Sequence, residues 1–154
     1  MTMHRTPLLR MTRTMRVGTA LLKRLLQAGL PMGPLVLLRV RGRTSGKIHT
    51  TPVALVRQDQ EWWLVAAFGE VNWVRNLRVA EGAQLTRGRH AEHIGVEELS
   101  PSAAAPILQQ FLRAYRWVPF IPPYFGVTTH ASRAAFEQEA AQHPVFHIVP
   151  AQHA

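Results

Sequence analysis

The sequence predicts an α+β domain in which helices are inserted between the strands of a small antiparallel barrel. Three observations lead there. Short apolar runs recur from residue 35 to residue 149, each bounded by a turn signal. Helical patterns interrupt that series at only three places, near 72–78, 100–115 and 132–142, rather than alternating with strands one for one. A last apolar run, 145–149, follows the third helical pattern and is available to close the sheet.

The elements follow in order. Residues 8–29 carry a basic amphipathic pattern: Leu8, Met11, Met15, Ala20, Leu22, Leu25 and Leu26 approximate one face, and Gly29, Leu30 and Pro31 stop it. Residues 1–34 are therefore expected to form an N-terminal helical segment ahead of a barrel domain at 35–154. Residues 35–40 suit a buried strand and 52–56 a second. Gln58, Asp59 and Gln60 make a polar turn before a third strand at 62–67, so that pair reads as a hairpin. Residues 72–78 fit a short helix with Asn72 as N-cap and Trp73, Asn76 and Leu77 on one side, ended by Glu81 and Gly82. Two more strands, 84–87 and 91–99, are joined near Gly88 and Arg89. Ser100 supplies an N-cap and Pro101 the first helical position for a helix running to about Tyr115. Residues 117–127 hold three prolines among apolar residues and are expected to be irregular; 132–142 is a short helix and 145–149 the closing strand.

Composition narrows the function. A chain of 154 residues with 47% hydrophobic and 18% charged residues is globular rather than disordered and fits one domain. The absence of cysteine excludes thiolate catalysis and Cys-based metal sites. The net charge of +9 is unevenly placed: residues 1–58 contain eleven Lys or Arg and no acidic residue, whereas nine acidic and seven basic residues follow. Such asymmetry points to an anionic partner, whether a membrane surface, a nucleic acid or an acidic cofactor. Lys23 and Arg24 interrupt the only stretch resembling a signal sequence, and no apolar run is long enough for a membrane span, so a cytoplasmic protein is expected, or one peripheral on the inner face of the membrane.

The cationic stretch is concentrated in residues 39–52. Gly42 and Gly46 supply backbone freedom, Thr44, Ser45, Thr50 and Thr51 supply hydroxyls, and Arg39, Arg41, Arg43 and Lys47 supply charge. Backbone N–H groups in such a turn can form an anion-binding nest, and the side chains can add charge-assisted hydrogen bonds. Read from these residues alone, the stretch is either an anion site or an ordinary charged hairpin loop. It is not a Walker A loop, since only three residues separate the glycines and Ile48 follows Lys47. His90 and His93 should face opposite sides of a strand, no H-E-x-x-H occurs, and no metal site is expected. Ser45 lacks a nucleophile-elbow context, and the adjacent Glu97 and Glu98 point apart. No side chain is therefore assigned as catalytic, and any redox chemistry must be carried by a bound cofactor. Of the tryptophans, Trp62 or Trp63 is expected in the core, whereas Trp73, beside Asn72 and Asn76, is the candidate to line a flat aromatic ligand.

Three blocks in this order, Gly-Arg-Thr-Ser-Gly-Lys-Ile-His-Thr-Thr-Pro (42–52), Leu-Val-Ala-Ala (64–67) and Asn-Trp-Val-Arg-Asn-Leu-Arg (72–78), resemble the deazaflavin (coenzyme F420)-dependent nitroreductase family over about residues 35–112. The resemblance implies an α+β split β-barrel of the FMN-binding-like type and coenzyme F420 as cofactor. It implies that Arg43, Thr44 and Ser45, in the loop with Gly46 and Lys47, hold the phosphate end of the cofactor tail. His49, Thr50, Thr51, Pro52, Val53 and Ala54 match the strand beside the deazaflavin. Ala66, Ala67, Phe68 and Gly69 match a backbone segment facing the ring, and Asn72, Trp73, Val74, Arg75 and Asn76 the helix closing over it. The loop 68–71 is shorter than is usual in the family, and the region after Leu112 departs from it. The implied activity is hydride transfer from reduced F420 to a small electron-poor substrate: a quinone, an activated alkene or a nitro compound.

Tyr115, Trp117 and Tyr124 are the candidates to line the acceptor site, from their amphipathic aromatic character. Two alternatives stand beside this reading, an FMN-dependent oxidoreductase of the same barrel type and a non-catalytic deazaflavin-binding protein. An anionic membrane surface beneath the N-terminal helix would suit a lipid-soluble quinone. Nucleic acid is disfavoured, because no helix-turn-helix or interleaved aromatic platform accompanies the basic residues.

Overall fold

A computed structural model of the chain describes residues 20, 21, 24, 35–80, 82–116 and 125–151. Its elements are β1 (Leu35–Arg41), β2 (Ile48–Gln58), β3 (Glu61–Val65), α1 (Asn72–Val79), β4 (Ala83–Arg87), β5 (His90–Glu98), α2 (Pro101–Tyr115), α3 (Arg133–Ala140) and β6 (Val145–Pro150). Ala20, Leu21 and Arg24 are helical and exposed; the rest of the expected N-terminal helix lies outside the described residues, as do Trp117 and Tyr124.

The six strands close into a barrel in the order β1-β2-β3-β6-β5-β4, every pair antiparallel, with β4 returning to β1 through Leu37↔Thr86, Leu38↔Leu85 and Arg39↔Gln84. Alternation along each strand sorts side chains into two apolar layers. Val36, Leu38 and Val40 of β1 join Val53, Leu55, Leu64, Leu85, Ile94 and Phe146 in the barrel interior. On the outer face, Ala54, Val56, Val65 and Val145 pack against Ile107, Leu108, Phe111 and Leu112 of α2 and Phe136 of α3.

α1 plugs the barrel: Trp73, Val74 and Leu77 belong to the interior cluster. The sequence placed its N-cap at Asn72, but Val71 is the cap and makes no side-chain cap bond. The preceding turn decides this. Gly69 N–H donates to the Ala66 carbonyl (3.1 Å) and Val71 N–H to that of Gly69 (2.8 Å), so the Val71 carbonyl is the one that receives the first helical donors, from Val74 (3.1 Å) and Arg75 (3.3 Å).

α2 and α3 both begin at serine caps, where Ser100 Oγ accepts from Ala103 N–H (3.3 Å) and Ser132 Oγ from Ala135 N–H (3.2 Å). Pro106 lies inside α2 and has no N–H to give the Ser102 carbonyl four residues earlier. Arg133 Nη2 of α3 donates to that carbonyl instead, at 3.3 Å. Neither Trp62 nor Trp63 is fully buried. Trp63 packs against the outer cluster and stacks on His147, with ring centroids 5.4 Å apart, while Trp62 lies under Arg57 and Arg87 at 5.3 and 4.3 Å.

The two-residue β2–β3 turn, closed by Gln58↔Glu61, holds Asp59 at φ 52° and Gln60 at φ 69°. Two positive φ values suit Asn-Gly far better than Asp-Gln. Replacing the pair by Asn-Gly is expected to raise stability by about 0.5–1 kcal/mol, read as a shift of the urea midpoint at unchanged slope.

Candidate functional site

The cationic turn is shorter than the sequence suggested, because pairing continues past the expected strand ends. β1 and β2 stay in register to Arg41↔Ile48, and Gly42 N–H donates to the Lys47 carbonyl at 2.7 Å. Residues 42–47 form the turn, so His49, Thr50 and Thr51 stand on strand β2. Within the turn Gly46 N–H donates to the Gly42 carbonyl (3.0 Å), Lys47 N–H to Ser45 Oγ (3.2 Å), and Arg41 Nη1 to the Gly46 carbonyl (3.2 Å). Gly46 takes φ +71°, which favours glycine. Gly42 is in close contact instead: a Cβ there would lie 2.8 Å from His49 Nε2 and 2.9 Å from Ser45 Oγ, and both exposed side chains would have to shift.

The turn is fastened to α1. Asn76 Oδ1 accepts from both Arg43 N–H (3.1 Å) and Arg43 Nη1 (2.7 Å), and Asn76 is only 5% exposed. The backbone of the turn and the arginine fork thus converge on one buried oxygen. Among the described residues no carboxylate stands within ion-pair distance of Arg39, Arg41, Arg43 or Lys47. The nearest acid in the following loop, Glu70, is committed to Arg78 (3.1 Å), which also grips Glu98 through two nitrogens at 2.7 and 3.0 Å. The field at the turn therefore stays positive. Among the described residues no group of three or more His, Asp or Glu is placed to hold a metal ion.

The remaining expected site residues divide by burial. Arg43, Thr44, Ser45, Gly46, Lys47 and His49 are exposed, and Thr50, Thr51 and Pro52 are half-buried on β2. Val53 faces the barrel interior and Ala54 the helical layer, so the packing that holds β2 leaves only their backbones for a ligand. On the β3–α1 connection Ala66 is buried, Ala67 half-buried and Phe68 exposed; Gly69 takes φ +87°, and a Cβ on it would stand 3.2 Å from the Gln142 carbonyl. On α1, Asn72 and Arg75 are exposed, whereas Trp73 and Val74 are interior. Trp73, expected to line a flat ligand, instead packs tilted against Phe146, with centroids 6.1 Å apart, because the face of α1 that plugs the barrel includes it.

Tyr115, an acceptor candidate, is 6% exposed in the outer core, its ring 4.5 Å from that of Phe111. Its hydroxyl has no hydrogen-bond partner among the described residues, and burial raises its pKa well above the ordinary phenol value. Beside it, Leu112, Arg116, Phe125 and residues 126–129 line a cleft of about 490 Å³.

One polar pair escaped sequence reasoning. His143, 3% exposed, lies 3.0 Å from the Ala66 carbonyl through Nδ1 and 3.5 Å from Glu139 Oε2 through Nε2. The four-residue spacing of Glu139 and His143 at a helix end was the available signal.

The sequence profile of the F420H(2)-dependent quinone reductase family matches residues 11–115. No curated protein matches the chain. Among solved structures the fold is similar to that of an F420-H2 dependent reductase, FDR-A, at 21% identity and TM-score 0.50, covering 75% of this chain and 93% of that one. It is also similar to a domain-swapped dimer, at 20% identity and TM-score 0.54 with 89% and 99% covered. A protein of unknown function from Agrobacterium tumefaciens str. C58 shares 11% identity at TM-score 0.52, with 94% and 60% covered. At these identities the structural likeness is one of fold.

Two outcomes follow from the geometry. Asn76→Leu strands the Arg43 N–H and is expected to cost about 1–3 kcal/mol in urea unfolding, with Asn76→Asp, which keeps an acceptor, losing less. Tyr115→Phe removes a buried unpaired hydroxyl and is expected to raise stability by about 1 kcal/mol near neutral pH. Because the folded phenol ionises later than the unfolded one, the wild type loses stability as pH rises above about 10. Thermal unfolding of both proteins across that range should show the gap widening in favour of Tyr115→Phe.

Proposed function

The chain belongs to the F420H(2)-dependent quinone reductase family, and on that premise we propose that it transfers a hydride from reduced coenzyme F420 to a quinone or a similarly electron-poor acceptor. The observation that carries the reading is the Arg43–Asn76 clamp, which fixes the cationic turn against α1, directly after the 66–71 connection. It ties together the first and third of the blocks that resemble F420-dependent proteins, and the second pairs with β2 through Leu55↔Leu64 and Ala54↔Val65.

The donor set fits the cofactor. F420 ends in a phosphate and an oligoglutamate tail, and the turn offers Arg41, Lys47, the Thr44 and Ser45 hydroxyls and an orienting Arg43, with no competing carboxylate among the described residues. When bound, reduced F420 supplies the hydride. The chain supplies position. In this reading Lys47 and Arg41 hold the anionic tail, and the half-buried Thr50, Thr51 and Pro52 of β2 flank the ring. The backbone of residues 66–69 forms the adjacent wall, and Asn72 and Arg75 lie on the exposed side of α1. The 490 Å³ cleft lined by the apolar Leu112 and Phe125 lies on the far side of His143 from that wall and takes an apolar tail of the acceptor. No side chain is needed as nucleophile, and holding two planar reactants face to face away from water accounts for the rate.

The test is reoxidation of reduced F420 by a menadione-type quinone in the presence of purified protein, above the uncatalysed background. Lys47→Glu reverses a charge at the turn and is expected to weaken F420 binding about tenfold at low salt, and less as salt is raised. Quenching of tryptophan fluorescence by FMN at lower concentration than by F420 would overturn the choice of cofactor. Tight F420 binding without quinone turnover would leave a binding protein in place of an enzyme.

A further inference from the structure

His143 stands between two parts of the site that the chain leaves far apart in sequence. We propose that it is a positioning residue that locks the 66–69 turn and the 125–129 cleft wall into a single arrangement, acting with Glu139. The proposal rests on the F420-reductase reading, in which the first of these segments borders the cofactor and the second the acceptor.

The contacts on one side are specific. A carbonyl only accepts, so His143 Nδ1 must carry the proton it shares with Ala66 at 3.0 Å. The same carbonyl receives Gly69 N–H at 3.1 Å, the bond that closes the turn. One oxygen therefore serves both the turn and the imidazole, and moving either shifts the other. The segment around His143 touches this turn twice more: Ala66 N–H donates to the Pro144 carbonyl (2.9 Å), and Gly69 lies against the Gln142 carbonyl.

The opposite edge and the ring face reach the cleft. Phe125, which lines it, stacks on His143 with ring centroids 4.0 Å apart and planes 10° apart. Glu139 Oε2 is 3.5 Å from His143 Nε2, while Glu139 Oε1 accepts from Gly126 N–H at 3.1 Å. A Cβ on Gly126 would sit 2.7 Å from that oxygen, so a larger residue would have to push the carboxylate aside. Both side chains are nearly enclosed, at 4% and 12% exposure. Because each side chain also satisfies a backbone group, the Gly126 N–H for Glu139 and the Ala66 carbonyl for His143, the pair gives the two segments a fixed direction toward one another.

Amide hydrogen exchange on the unliganded full-length protein tests the coupling. Glu139→Ala cuts the bond to Gly126 and is expected to speed exchange about tenfold at Gly126 and also at Gly69, which it does not touch. His143→Leu should speed both, while His143→Asn, whose side-chain nitrogen can take the Nδ1 position, should restore Gly69 and not Gly126. Amides of β1 should keep wild-type protection throughout. If Glu139→Ala leaves Gly69 unchanged, the two segments are independent and the proposal is wrong. Should His143→Leu fail to fold, the Glu139→Ala and His143→Asn comparison decides alone. In turnover, His143→Asn should raise the quinone KM with F420 affinity retained, whereas His143→Leu should weaken both. A wild-type protein that binds no F420 would sink the functional reading, and the exchange data would still judge the coupling.

Discussion

A six-stranded barrel closed upon itself, with a helix inserted in its end, has no interior to spare. Val36, Leu38, Val40, Leu64 and Phe146 meet Trp73, Val74 and Leu77 in one dry cluster, and filling of this kind is the usual fate of a small barrel. Every functional possibility is thereby displaced to turns, strand ends and the outer surface. The same closure makes those turns dependable, since each is anchored by ladders on both sides and has little freedom to drift.

The division of labour between charge and burial follows from that constraint. Positive residues crowd the end of the β1–β2 hairpin, while the acids of the neighbouring loop and strand, Glu70 and Glu98, are absorbed by Arg78. Among the described residues the rim is thus left with no internal neutralisation. The neighbouring surface of β2, by contrast, is half-buried at Thr50, Thr51 and Pro52 and is backed by core side chains. Val53, Ala54 and Ala66 illustrate this: all three are buried, Val53 in the barrel interior and Ala54 in the helical layer.

Much of the fold could be read from residue patterns. Short apolar runs between turn signals marked the strands, and the Ser-Pro start of α2 was legible because capping chemistry is local. Strand ends were harder, since β1 and β2 run into a glycine-rich stretch whose pairing depends on Gly42 meeting Lys47 across the turn, a contact that no propensity encodes. The start of α1 slipped by one residue because Asn72 is a good cap in isolation, and the Gly69 turn overrides it. For the site, the cationic turn and the Asn76 side of α1 were visible as motifs. The burial of Trp73 could not be read from its motif, because it depends on which face of α1 enters the barrel. His143 and Glu139 went unseen because their meaning arises only when the outer helices bring them to the β3–α1 connection.

The outer layer carries one further consequence. Phe136 and Ala140 seat α3 in the same buried cluster as Ile107, Leu108, Phe111 and Leu112 of α2, and this packing sets how the two helices meet. Pro106 adds a polar tie at the rim by vacating the Ser102 carbonyl, and Arg133, 31 residues further along, fills the vacancy. A missing N–H thus becomes a docking point between two elements. Glu139 rides on the same helix, so a residue at position 106 that brought back an N–H would compete with Arg133 for that oxygen and loosen one tie of the element that carries the carboxylate.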